Sequence, residues 1–111
     1  MTTQGDIGPI MPQQVGENHF RCHVSIVNEM GLHARPASMF VEMANRYRCD
    51  VQIQKGGEPV DGKSILQLLS LSAEVGTPLV LEARGPDAEA ALSALAKLVA
   101  SGFNEMEPAG P

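Results

Sequence analysis

Aromatic side chains are scarce: among 111 residues there are three Phe, one Tyr and no Trp. A core built from this chain must be aliphatic. A sheet that reads RNA by stacking bases on exposed rings is disfavoured for the same reason. Cysteine is equally sparse. Cys22 and Cys49 cannot frame a disulfide scaffold, so a reduced, cytoplasmic protein is expected. No apolar run approaches the ~20 residues that span a bilayer, so membrane insertion is not expected. The opening MTTQGDIGPIMPQQVGENH lacks a basic patch followed by an apolar stretch, and a secretory signal is not expected either.

A strong field of one sign is also missing from the body of the chain. Eight Lys and Arg stand against thirteen Asp and Glu, a net charge of −5. Residues 1–18 hold Asp6 and Glu17, and residues 103–111 hold Glu105 and Glu107, with no base in either segment. Between 19 and 102 eight bases therefore face nine acids. Phosphate backbones are gripped by clustered Lys and Arg, so nucleic acid is not an expected partner.

Residues 1–18 combine three Gly, two Pro and three Gln with scattered apolar residues. Such a segment buries too little to offset its ordering entropy and reads as a flexible leader. Residues 105–111 read as a flexible tail, which leaves one folded unit over 19–104. Within it the hydrophobic period changes repeatedly. Phe20, Cys22, Val24 and Ile26 alternate with polar neighbours as a strand, and Ala37, Phe40, Val41 and Ala44 give a helical stripe between Ala34 and Arg46. Val51 and Ile53, the turn Gly56-Gly57 and the return at Pro59-Val60 form a hairpin. Ser64 is placed as the N-cap of a short helix containing Ile65, Leu66, Leu68, Leu69 and Leu71. Leu79, Leu81 and Ala83 form a last strand. Gly85-Pro86-Asp87 opens a helix whose stripe is Ala88, Ala91, Leu92, Leu95, Leu98 and Val99, with Gly102 as its stop. The order β-α-β-β-α-β-α implies an α+β open-faced sandwich: a four-stranded, mostly antiparallel sheet with three helices on one face.

The stretch with chemical content is Met30-Gly31-Leu32-His33-Ala34-Arg35-Pro36-Ala37. Pro36 lies in the first helical turn, where its missing N–H costs no bond. His33 therefore sits at the helix start, beside free backbone N–H groups and the positive end of the dipole. An anion placed on its ring is favoured there. Arg35 adds a permanent cation able to fork onto phosphate oxygens. By position alone a single histidine before a helix is more often a cap or a surface residue, and Arg35 alone a solvated charge. The packed order Gly-Leu-His-Ala-Arg-Pro-Ala points instead to a nucleophilic histidine that accepts and holds a phosphoryl group. No glycine-rich nucleotide loop accompanies it, and no close carboxylate or serine in the sequence suggests hydrolysis. No cofactor is expected.

These residues resemble the histidine-containing phosphocarrier proteins (HPr) of the bacterial phosphoenolpyruvate-dependent sugar phosphotransferase system. The signature is GLHARPA at 31–37, and a second block, Lys63-Ser64-Ile65-Leu66 with Leu69-Ser70-Leu71, is similar to the family's regulatory serine and adjoining helix. The resemblance implies that His33 is phosphorylated at Nδ1 by phosphorylated enzyme I and passes the group to enzyme IIA components. In that reading the protein is a carrier and not an enzyme. Arg35 steadies the phosphoryl group and Pro36 sets the helical turn. Ser64 becomes the target of an HPr kinase/phosphorylase, and Met39, Ile65, Leu66 and Leu69 an apolar docking patch. Nitrogen-type or metabolic-control paralogues carry the same chemistry to regulatory targets. A monomer is expected.

Other features have plainer readings. Family members usually place a small polar residue where this chain has Glu29 or Met30, and the leader is atypical. About half of the leucines near Ser64 must be ordinary core. His19 and His23, in or before a strand, are ~13 Å apart at ~3.3 Å per residue, so no shared metal is expected and surface positions are. Cys22 alternates with core residues and reads as a small buried hydrophobe.

Overall fold

The computed structural model describes residues 11–105; residues 1–10 and 106–111, and with them most of the expected leader and tail, lie outside the described residues. The elements in chain order are β1 (Gln13–Gly16), β2 (His19–Ser25), α1 (Ala34–Ala44), β3 (Asp50–Gln54), β4 (Val60–Asp61), α2 (Ile65–Leu69), β5 (Pro78–Arg84) and α3 (Ala88–Ala100). A single 3₁₀ turn, Gly102–Asn104, follows α3. The strands form one sheet in the order β1-β2-β5-β3-β4, every pair antiparallel.

Side-chain alternation splits this sheet into two unlike faces. Cys22, Val24, Leu79, Leu81, Ala83, Val51 and Ile53 point to the helices and are buried. Phe40 of α1, Leu68 of α2, and Leu92, Leu95 and Val99 of α3 close over them. The other face carries Arg21, His23, Gln52 and Glu82. Glu82 accepts from His19 Nε2 at 2.9 Å and from Arg21 Nε at 2.8 Å. The His19 hydrogen bond is the main cause of the lowered Glu82 pKa; partial burial opposes it, and Arg21 adds to it. His19 is thus half-buried in a hydrogen bond to Glu82 and not the simple surface residue expected, while His23 is exposed.

The sheet has five strands where the sequence reading gives four. The extra strand, Gln13–Gly16, comes from the segment read as leader, and all of its residues are exposed. Backbone pairing with β2 holds it (Gln13 opposite Arg21, Gln14 opposite Phe20). A reading based on apolar burial has nothing to detect in such a strand. Asn18, at φ 52°, makes the turn into β2, and its carbonyl accepts from Gly85 N at 2.8 Å.

The remaining elements follow the hydrophobic pattern. α1 ends at Ala44, two residues short of the expected Arg46, with Asn45 N closing on Val41 O at 2.9 Å. Among the α2 apolar residues only Leu68 is fully buried. Cys22 is buried, and burial pushes its thiol pKa up; burial does the same to half-buried Cys49, against the opposing pull of Lys63. No helix among the described residues is long and apolar enough to cross a membrane.

Candidate functional site

The loop from β2 to α1 is shaped before it reaches His33. Gly31 takes φ +74°, and a Cβ there would stand 2.6 Å from Ala73 O. Only glycine fits, for both reasons. The next residue, Leu32, donates its N–H to the same Ala73 carbonyl at 2.9 Å and buries its side chain. The turn is thereby laid against the segment that follows α2, and His33 emerges from it as the N-cap of α1 with extended backbone (φ −88°, ψ −170°).

His33 makes no side-chain cap to its own helix. Its carbonyl takes Ala37 N at 3.0 Å, and Pro36 has no N–H, so the amides of Ala34 and Arg35 are open, among the described residues, at the positive end of α1. Pro36 is buried and Arg35 is exposed, one on each side of the first turn. Arg35 forms no ion pair among the described residues.

The imidazole turns instead toward the end of the folded chain. Nε2 lies 3.1 Å from Glu105 Oε2 and 3.4 Å from Oε1. A carboxylate accepts only, so the ring donates its Nε2–H, and in the neutral imidazole the lone pair is then on Nδ1. The His33 side chain is 37% exposed and that of Glu105 18%. The ring is reachable from solvent while one edge is held. Asn28, 1% exposed, donates to Glu105 Oε1 at 3.0 Å and to Gly31 O at 2.9 Å.

Glu105 and Asn28 are not legible as site residues in the sequence, where Glu105 reads as the first residue of the tail. It is half-buried and seventy-two residues from its partner. What brings it back is the turn after α3: Gly102, Phe103 and Asn104 have φ 68°, 56° and 61°, and Phe103 is 1% exposed. Three successive left-handed residues reverse the chain, and the buried ring anchors the reversal. A lone Phe just beyond the helix-stopping Gly102 was the available signal that packing continues past the helix.

Ser64 is the N-cap of α2, and its Oγ accepts Gln67 N at 3.2 Å. Nearby, α1 and α2 pack together. Leu66 is 80% exposed and Ile65 38%, whereas Met39 and Leu69 are half-buried against the core. The four expected patch residues therefore divide, two outward and two partly inward.

Relatives place this geometry. Residues 20–101 match the family described as "PTS HPr component phosphorylation site". The chain is 44% identical over 85 residues to the phosphocarrier protein HPr of Pseudomonas aeruginosa, covering 76% of this chain and 94% of that protein. It is 45% identical over 76 residues to the HPr-like protein Crh of Bacillus subtilis, covering 68% and 89%. A crystal structure of HPr-C-His from Thermoanaerobacter tengcongensis superposes with a TM-score of 0.75 at 37% identity, over 78% of this chain and 98% of that one. With the signature histidine standing at an open helix start on that same fold, the chain belongs to the HPr family of phosphocarrier proteins of the phosphotransferase system.

Proposed function

We propose that His33 accepts a phosphoryl group on Nδ1 from phosphorylated enzyme I, which is charged by phosphoenolpyruvate, and passes it to enzyme IIA components for sugar uptake. The observation that carries this is the presentation of the ring: Nε2 is engaged by Glu105 at 3.1 Å and the helix start beside it is uncapped. In the transfer, the Nδ1 lone pair forms the new N–P bond while the donor's bond to phosphorus breaks and its electron pair stays with the donor. Nε2 keeps its proton throughout. The ring becomes cationic, and the Glu105 carboxylate faces that charge. The open amides of Ala34 and Arg35, with the Arg35 guanidinium, suit the phosphoryl oxygens. Positioning and charge are all that such a transfer requires.

Exposed Leu66 and Ile65, with Met39 and Leu69, form the docking patch for both partners. Ser64 is the regulatory phosphosite of an HPr kinase/phosphorylase, where ~−2 of added charge would disturb docking of an acidic partner. The protein works as a cytoplasmic monomer. A second reading keeps the His33 chemistry and delivers phosphate to regulatory targets; the similarity to Crh, 45% over 76 residues beside 44% over 85 for the Pseudomonas HPr, favours keeping it.

Incubation with phosphoenolpyruvate and the cognate enzyme I should add one acid-labile phosphate per chain, absent in His33→Ala. No labile phosphate on the wild-type chain would sink the reading. Chase with purified IIA components, against regulatory acceptors from the same source, separates the two destinations. ATP and the kinase should give an acid-stable phosphate that is lost in Ser64→Ala.

A further inference from the structure

We propose that Asn28 is a positioning residue for the phosphoryl acceptor: it holds the Glu105 carboxylate in place, and through it fixes the proton of His33 on Nε2 so that Nδ1 is the nucleophile. The proposal rests on the assignment of His33 as acceptor given above.

Asn28 is the buried polar residue of the described core, 1% exposed among apolar neighbours. A buried amide is costly unless its hydrogen bonds are made. Here they are made selectively. Both Nδ2 bonds go to the site: one to Gly31 O, in the turn that aims His33, and one to Glu105 Oε1. Both partners accept only, so the amide must present its nitrogen to them. The oxygen, Oδ1, is buried with no partner among the described residues. A side chain serving only the stability of the core would not leave that atom unpaired; an apolar residue of similar size would avoid the penalty.

Glu105 needs an external hold. It follows the reversal at Gly102, Phe103 and Asn104, where two non-glycine residues sit in the left-handed region. That backbone brings the side chain toward His33 but does not fix the rotation of its carboxylate. Asn28 takes Oε1 at 3.0 Å, and the ring lies nearer to Oε2, at 3.1 Å against 3.4 Å to Oε1, so the two donors favour different oxygens. Without the amide, both oxygens are free to turn to water and the ring is free to exchange tautomers. The phosphoryl acceptor is then present only part of the time in the form whose Nδ1 carries the lone pair.

The test reads the tautomer of unphosphorylated His33 directly, from the ¹⁵N shifts of its two ring nitrogens in long-range ¹H–¹⁵N spectra at a pH where the ring is neutral. The wild-type chain should show protonated Nε2 and bare Nδ1, with the two shifts far apart. Asn28→Asp keeps the size, removes the donor and sets like charges against each other, so the two shifts should converge. Phosphoryl acceptance from enzyme I should slow by roughly tenfold, the scale of one charge-assisted hydrogen bond. In a Glu105→Ala background the same Asn28→Asp change should have no further effect on either readout, since its route of action is gone. Equal slowing in both backgrounds, or a wild-type tautomer in Asn28→Asp, overturns the proposal. Should Asn28→Asp fail to fold, Glu105→Ala alone decides: it must move the ring shifts and speed exchange of an Asn28 side-chain amide proton, and if neither changes the tie does not exist. The tautomer measurement needs no phosphate donor, so failure of phosphorylation in the wild-type chain counts against the proposed function and not against this.

Discussion

Two helices of this molecule begin in opposite ways. At the start of α2, Ser64 turns its hydroxyl onto its own helix and accepts Gln67 N at 3.2 Å, the ordinary use of a serine there. At the start of α1, the His33 side chain caps nothing; its ring faces Glu105, and the amides of Ala34 and Arg35 are open among the described residues. The first arrangement favours stability and the second leaves binding capacity at an exposed position. A helix N-terminus can satisfy its donors internally or offer them to an anion, and α2 and α1 take these two courses.

The sharpest way to break the contrast is to give α1 the cap it lacks. His33→Ser should abolish acid-labile phosphate while leaving the melting temperature unchanged or raised, by up to ~1 kcal/mol of stability. A drop in stability would mean that the ring, with its tie to Glu105, does structural service as well. The next largest effect should come from Gly31→Ala, which forces a Cβ to within 2.6 Å of Ala73 O at φ +74°. Denaturant unfolding should register a loss of about 1–3 kcal/mol; a change within error would show that the turn can rearrange.

Ser64→Ala should cost about 1 kcal/mol in the same unfolding experiment, with acceptance at His33 unaffected by more than twofold. Slower acceptance would show that the two helix starts are coupled.

The smallest effect is expected on the far face of the sheet. The folded Glu82 carboxyl titrates below its unfolded counterpart, chiefly through His19. Its contribution is therefore complete above the ordinary glutamate pKa of about 4.3 and fades as pH falls through the lowered folded value. Glu82→Gln should flatten the acid limb of a stability-versus-pH curve and leave phosphate acceptance unchanged; an unaltered acid limb would rule out the His19–Glu82 tie.

How much of this was legible in the sequence follows from which force places each residue. Elements placed by apolar periodicity were readable: Phe40 and Ala44 on α1, Leu92, Leu95 and Val99 on α3, and the alternation of β2 and β5. His33 was readable because its spacing from Gly31 and Pro36 is local. β1 was not, since main-chain pairing leaves no pattern in side chains. Asn28 and Glu105 were not, because a contact across seventy-odd residues is made by tertiary folding and signals nothing at either end. Leu68 was one of several equivalent leucines until α1 and α2 packed together and selected it.

The rims of the sheet carry one more consequence. β4 is only two residues long, and β1, though longer, breaks register between Gln14 and Gly16. Neither is a good template on which a foreign strand could continue the ladder. Clip the chain just before His19, however, and the β2 main chain from His19 to Arg21 loses that cover. The four amino acids of β1, all exposed, therefore count through their backbone alone, by occupying donors and acceptors that an unpaired edge would leave open.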